Sequence, residues 1–175
     1  AGFGHYSTRL STVIDSYVSF DEAYDLLGEQ EDSLFRSANI KVNQLDRVDA
    51  MNEPIPNWGI IRNIPTTSNY YSITDKNVSD SLENLGLNQY QYKFKFKKLD
   101  MREGLLNLYH TKYIIINKLN GAKIPNGYKL IKSDDTHSLY ENKNIVPFGY
   151  TYNTYVTEKD FEKANAVQRE QTMTQ

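Results

Sequence analysis

The chain has 175 residues, 39% of them hydrophobic and 13% aromatic, with 14 Tyr, 7 Phe and 1 Trp; this suits one domain, or one domain with an appended lobe, and excludes a disordered polymer. Its 20 basic and 22 acidic residues leave a net charge of −2 and a pI near 5.9, which excludes a nucleic-acid binder that works by neutralising phosphates. Cysteine is absent, which excludes disulfide and thiolate chemistry but leaves the compartment open.

In chain order, residues 18–28, "VSFDEAYDLLG", predict a short helix. Ser19 and Glu22 form a capping box, Val18 staples onto Ala23, Leu26 and Leu27 face inward, and Gly28 terminates it. The next stretch, "SLFRSANIKV" (33–42), reads as a strand. From residue 52 to residue 75, three prolines and many small polar residues predict a long ordered loop. A second helix is predicted from Thr74 or Asp75 to Leu85, with Val78, Leu82 and Leu85 on one stripe and Gly86 as its stop. "YQYKFKFKK" (90–98) alternates rings and lysines, the pattern of a half-buried strand.

Asp100 and Glu103 are placed to cap a helix carrying Leu105, Leu106, Leu108 and Tyr109. "KYIIIN" (112–117) is too short for a helix and too apolar for a surface, so it predicts a buried strand. Residues 127–142 predict a hairpin with Asp134-Asp135 as a two-residue turn, which sets Leu130 opposite Leu139 and Lys132 opposite His137. Thr157 and Asp160 cap a last helix, Val156 can staple Phe161, and the tail from Asn165 is polar enough to fray. Helices and strands alternate irregularly, so the expected class is α+β, a small mixed sheet with flanking helices and a long ordered aromatic-rich loop. Residues 1–49 read as a weakly marked helix and strand region, and the whole chain as one compact domain.

The longest aliphatic run, Ile114 to Ile116 behind Tyr113, is far short of the ~20 residues a membrane helix needs. The chain begins without Met or signal-peptide architecture, so it is expected to be a soluble piece of a longer protein.

Candidate chemistry is sparse. The three histidines, His5, His110 and His137, have no second ligand at metal spacing, so no metal and no cofactor is expected. A structural role is expected for His110 at a helix end and for His137 as a cross-strand neighbour of Lys132. Asp134 and Asp135 diverge in a turn and are expected to stay solvated, with ordinary pKa values. The acidic residues between Asp21 and Asp32 read as a solvated helix face. No catalytic residue is expected.

Lys93, Lys95, Lys97 and Lys98 make one basic strand face. It suits contact with an anionic surface such as lipid head groups, or the protection of an exposed edge strand. The richest candidate is the loop with Asn57, Trp58, Gly59, Thr66, Thr67, Tyr70 and Tyr71, because sugar rings stack on aromatic faces while amides and hydroxyls bond their hydroxyl groups. The same composition suits a loop packed on itself.

Four stretches, "NWGIIRNIPTTSNYYSITDKNVSDSLENLG", "LLNLYHTKYIIINK", "GYKLIKSDDTHSLYENKNIVPFGYTYN" and "FEKANAVQREQ", together resemble the YfhO family of bacterial multi-pass membrane proteins, in a segment between transmembrane helices. The match runs over roughly residues 50 to 172 and is most specific through "YENKNIVPFGY", so residues 50–175 are expected to form the family-like core. The chain departs from the family pattern in Tyr109-His110-Thr111, where Leu-Gly-Val is expected, and in Asp134-Asp135, where Asp-Gly is. The resemblance implies a parent of the GT-C glycosyltransferase type, taking sugar from a polyprenyl-phosphate donor and adding it to a cell-envelope polymer, with lipoteichoic acid as the leading case. It also implies an extracytoplasmic location, with the catalytic carboxylate in an early membrane-proximal loop outside this chain. The expected partners are the membrane-embedded part of the same parent and a cell-envelope polymer or sugar, with no nucleic acid. The expected role is acceptor binding or positioning; the alternative is a structural interaction module without a ligand.

Overall fold

The computed structural model describes residue 19 and residues 29–50, 57–70, 73–87, 95–96 and 98–174. Their elements run α1 (Glu29–Ser37), β1 (Arg47–Ala50), α2 (Trp58–Arg62), β2 (Asn69–Tyr70), α3 (Lys76–Asn84), β3 (Lys95–Phe96), α4 (Glu103–Leu108), β4 (Thr111–Asn117), a 3-10 turn (Lys118–Asn120), β5 (Tyr128–Ser133), β6 (His137–Asn142), α5 (Glu158–Lys163) and α6 (Ala166–Thr174). The architecture is α+β. A four-stranded sheet has the order β1-β4-β6-β5, and β2 pairs with β3 in a separate two-stranded sheet. β1 runs parallel to β4, and the other neighbours in the large sheet are antiparallel.

β4 is the expected buried strand, and its burial explains why it lacks polar alternation. Successive side chains on a strand point to opposite faces. Ile114 and Ile116 enter one core cluster with Leu82, Leu85, Leu99, Leu105 and Leu106. Tyr113 and Ile115 enter the other, with Leu34, Phe35, Val48, Trp58 and Leu139. Helices therefore cover both faces of the sheet, and every position from Tyr113 to Ile116 is buried.

The second predicted helix is present as α3. The Asp75 carboxylate accepts hydrogen bonds from the backbone of Asn77 and Val78, and Gly86, with φ of +60°, ends it. Leu82 and Leu85 are buried, while Val78 stays half exposed. The predicted Lys-Tyr strand is present as β4 and the predicted hairpin as β5–β6. Of the predicted strand 90–98 only Lys95, Phe96 and Lys98 are described, and Lys95–Phe96 is β3. The helix expected at 18–28 lies outside the described residues apart from Ser19.

Four expectations are corrected. Residues 33–37, read as the start of a strand, belong to α1. Leu34 and Phe35 are buried and Ala38 packs against the same cluster, one helical turn apart. Asn39, at φ +55°, closes the helix with bonds from Asn39 N to Arg36 O and from Ile40 N to Phe35 O, the Schellman arrangement. Asp100 does not cap α4: its φ of +52° and that of Met101, +57°, turn the chain before the helix, and Arg102 is the N-cap residue, without a side-chain cap bond.

The hairpin turn has three residues, 134–136, because the Asp134 carboxylate accepts from both Thr136 N and His137 N. The extra residue shifts the register, so that Leu130 faces Tyr140 and Lys132 faces Leu139, with an irregularity between Leu130 and Lys132. The shift turns Ile131 toward the core. His137 is therefore not the cross-strand partner of Lys132; on the other side of β6 it pairs with Asn117 of β4.

The tail expected to fray is α6. Asn165 and Gln168 form a reciprocal capping box, each backbone N–H bonding the other side chain at 2.9 Å. The Thr157 and Asp160 cap of the preceding α5 is present as predicted.

Two arginines tie α6 down. The guanidinium of Arg102 donates to Glu170 Oε2 from Nε at 2.7 Å, to Leu85 O and to Ala166 O. The guanidinium of Arg169 donates to Phe161 O, Glu162 O and Asn84 O, filling carbonyls that the last turns of α3 and α5 leave open.

One charge is buried in this frame. Asp49, between Val48 and Ala50 on β1, is fully buried. Its Oδ2 accepts from Leu99 N at 3.0 Å, anchoring the turn before α4, while Oδ1 has no partner. Burial pushes its pKa up from 3.8 to about 6, against the Leu99 bond and the nearby Thr67 hydroxyl, which pull it down.

A raised folded-state pKa gives stability that is fully present below 3.8 and is lost as pH rises through about 6. At about 1.4 kcal/mol per tenfold change in proton affinity, that loss is about 3 kcal/mol. Urea unfolding of Asp49→Asn against the parent chain should therefore show the variant gaining up to about 3 kcal/mol between about pH 4 and about pH 8; equal pH profiles would refute it. Arg102→Ala should cost about 3 kcal/mol, because it strands Glu170 and two carbonyls in a part-buried junction, read as a lower unfolding midpoint with the far-UV spectrum kept.

Candidate functional site

The loop singled out in the sequence forms one wall of a cleft of about 640 Å³, closed by Arg47 from β1, Val78 and Ser81 from α3, and Tyr109 after α4. Local backbone chemistry builds that wall. α2 ends at Asn63, whose φ of +53° reverses the chain, and Ile64 N then bonds Gly59 O at 2.8 Å. The following residues lie along the free edge of β1, with Val48 N bonding Pro65 O and Thr67 N bonding Val48 O. This pairing covers an edge of the sheet that would otherwise present unpaired amides.

Gly59 is required by close approach. A Cβ there would lie 2.3 Å from Ile64 O and 2.5 Å from Thr66 Cγ2, well inside any van der Waals contact.

The candidate residues separate into different environments. Asn57 spends its side chain on the loop: Nδ2 donates to Tyr70 O and Oδ1 accepts from Tyr70 N, both at 2.8 Å. Trp58 is fully buried in the core, and its Nε1 has no hydrogen-bond partner; its ring is packing material and not a surface for a ligand in this conformation. Thr66 lines the cleft and donates to Ser68 O. Thr67 is buried with its hydroxyl near Asp49. Tyr70 is exposed, and Tyr71 lies outside the described residues. Lys95 pairs with Tyr70 across β2–β3, and Lys93 and Lys97 also lie outside the described residues.

Sequence reasoning missed Arg47 and Tyr109. Arg47 Nη1 donates to Tyr109 O at 2.8 Å, and the guanidinium stands 6.0 Å from the centroid of the Tyr109 ring. This fixes a cation in the cleft wall. Burial pushes the Tyr109 phenol pKa up, against the Ser81 hydroxyl and Arg47, so it remains a neutral hydroxyl at neutral pH. A strand residue and a helix-exit residue 62 positions apart share no local pattern that would have joined them.

The histidines and turn carboxylates sit elsewhere. His110 follows α4 with a positive φ; its Nδ1 lies 2.9 Å from Val146 O and its Nε2 3.3 Å from Asp46, which also takes Lys112. His137 is buried against the Thr136 hydroxyl. Asp134 is corrected from an ordinary turn carboxylate. Desolvation raises its pKa, but the His137 and Thr136 backbone bonds outweigh that and hold it below the usual range. Among the described residues no three His, Asp or Glu side chains converge as a metal site.

Residues 15–175 match the family described as bacterial membrane protein YfhO. The chain belongs to that family. It is also 26% identical over 170 residues to the uncharacterized protein YfhO of Bacillus subtilis, an alignment covering 94% of this chain and 19% of that relative. No solved structure matches it. Among the described residues no helix is long and apolar enough to cross a membrane.

Several words of the YfhO-like pattern have structural roles here. The Arg-Glu-Gln helix supplies Arg169 and Glu170 to the α6 junction. Asn142 of "YENKN" is buried, donates to Asn107 Oδ1 at 3.0 Å and accepts from Asn144 N.

Gly59→Ala should destabilise the chain by about 1–3 kcal/mol and perturb the amide signals of residues 63–67. An unchanged unfolding midpoint would show that the cleft wall yields without cost.

Proposed function

We propose that this chain is an extracytoplasmic lobe of a multi-pass membrane glycosyltransferase of the GT-C type. On this reading the parent takes sugar from a polyprenyl-phosphate donor and decorates a cell-envelope polymer such as lipoteichoic acid. The lobe binds or positions the acceptor, and bond making takes place in the membrane-embedded part of the same parent. Lys93, Lys95 and Lys97 are the proposed contacts to the anionic membrane surface.

The observation that carries the acceptor role is the chemistry of the cleft beside β1. Among the described residues its polar lining includes amides, hydroxyls and one guanidinium, from Gln44, Asn63, Thr66, Ser81, Tyr109 and Arg47, and no carboxylate. Such a surface suits a polyol chain carrying phosphates: hydroxyls pair with the amides and hydroxyls, and a phosphate pairs with the arginine. Tyr70 stands exposed at the end of the same loop.

A second reading, a structural module without a ligand, is favoured by Trp58 and Asn57, since the loop's one indole lies in the core and its first amide is committed to Tyr70. Titration of the chain with glycerol-phosphate oligomers, followed by amide chemical shifts, separates the two. Acceptor binding requires saturable shifts at Thr66, Tyr70 and Ser81, and Arg47→Met should weaken them about tenfold or more, the loss of one charge-assisted contact. A flat titration assigns the lobe to the structural module.

A further inference from the structure

The sequence places its aromatic candidates in the 57–71 loop, yet among the described residues most of the exposed rings, Tyr70 excepted, gather elsewhere. Between β6 and α5 the chain runs through residues 143–157 without helix or strand, and this strap exposes Phe148, Tyr150, Tyr152, Tyr155 and Val156. Together with the end of α4, with Phe161 of α5 and with Thr172 and Met173 of α6, the strap encloses a groove of about 680 Å³. That volume is within the ~300–1,000 Å³ range of small-ligand clefts. None of its lining residues belongs to the Arg47 cleft.

The groove is pinned in place. The Tyr152 hydroxyl donates to Met173 O, fastening the strap to the end of α6. It also lies 3.1 Å from the Tyr150 hydroxyl, and the two rings meet edge to face at 5.3 Å. At the other end His110 holds the strap by its bond to Val146 O and by an edge-to-face contact with Phe148 at 5.7 Å. Tyr155 is 92% exposed at the mouth.

We propose that this groove is a binding site for the neutral sugar rings of a glycan. Three features select that ligand. The rings offer flat apolar faces to the C–H faces of a pyranose. Between them stand the hydroxyls of Tyr150, Tyr152, Thr154 and Thr172 and the carboxylate of Glu158. Tyr152 already donates to Met173 O and lies against the Tyr150 hydroxyl, and Thr172 donates to Gln168 O, so what remains for a ligand is chiefly their acceptor lone pairs and the Glu158 carboxylate. A protein or lipid cover would strip that carboxylate of water at a cost of about 1–3 kcal/mol or more if left unpaired, whereas a polyol donates hydroxyls to it. Finally, Glu158 is the one charged residue among the described lining residues; it accepts from adjacent sugar hydroxyls and repels a phosphate. The site thus differs in charge from the Arg47 cleft, and it stands whether or not that cleft binds an acceptor.

The test titrates the 175-residue chain with maltotriose and with cellotriose, two neutral probes of different linkage, by calorimetry and by the amide shifts of residues 148–156. Saturable binding of at least one probe is expected. Tyr155→Ala, whose side chain projects into solvent, should weaken it about tenfold or more with the melting temperature unchanged, a loss of about 1.4 kcal/mol. Glu158→Gln should weaken it about threefold to tenfold. Arg47→Met should leave trisaccharide binding unchanged, and Tyr155→Ala should leave the glycerol-phosphate titration unchanged, so the two sites fail or succeed separately. The proposal is overturned by no saturation with either probe up to about 20 mM. It is equally overturned by a folded Tyr155→Ala chain that binds like the parent. Self-association, or binding to phosphatidylcholine vesicles, that Tyr155→Ala abolishes would give the groove to a second copy or to lipid, and would overturn it too.

Discussion

Burial of β4 on both faces is the constraint from which the rest of the fold follows. A strand whose every side chain from Tyr113 to Ile116 is hidden needs a layer above, a layer below and a hydrogen-bonded neighbour on each edge. α3 and α4 supply one layer, α1 and α2 the other, and β1 and β6 are the neighbours. Because β1 docks parallel to β4, the chain between them must cross over, and that crossover carries α2, β2, α3, β3 and α4. The Arg47 cleft is a product of the crossover: its cation comes from the strand before it, its loop wall from the beginning, and Tyr109 from the end.

Asp49 shows how tightly the crossover is returned. Its carboxylate sits on the strand face that otherwise holds leucines and isoleucines, and it bonds the Leu99 amide at the point where the chain turns back toward β4. Burial opposes its ionisation, so the anchor works against the stability of the charged form. Met101 and Asp100, both in the left-handed region, make the turn that this bond steadies.

The C-terminal helices are held by polar chemistry more than by apolar burial, for neither α5 nor α6 contains a buried residue. Arg102 and Arg169 fill the open carbonyls of neighbouring helix ends, and Glu170 balances Arg102. Such a junction sets the orientation of α6 while leaving the apolar side of the strap uncovered. The aromatic groove exists because the strap crosses these helices without a hydrophobic cap of its own.

Local signals determined the α+β class, α3 with its Asp75 start and Gly86 stop, the buried strand β4, the β5–β6 hairpin and the Thr157 cap. In each case the deciding interactions lie within a few residues of one another, so they are written in consecutive sequence. The Asn165–Gln168 capping box is equally local, although the tail that it starts is polar. Tertiary structure alone decided the rest. Leu34 and Phe35 became one face of a helix because the sheet offered them a surface, and Trp58 entered the core because β1 and β4 left a space for an indole. Arg47 met Tyr109 because a parallel pairing brought distant segments together, and the rings of residues 148–155 stayed outside because none of the described elements packs over them. Long-range pairing and competition for a limited core set those outcomes, and neither is encoded in any short window of the chain.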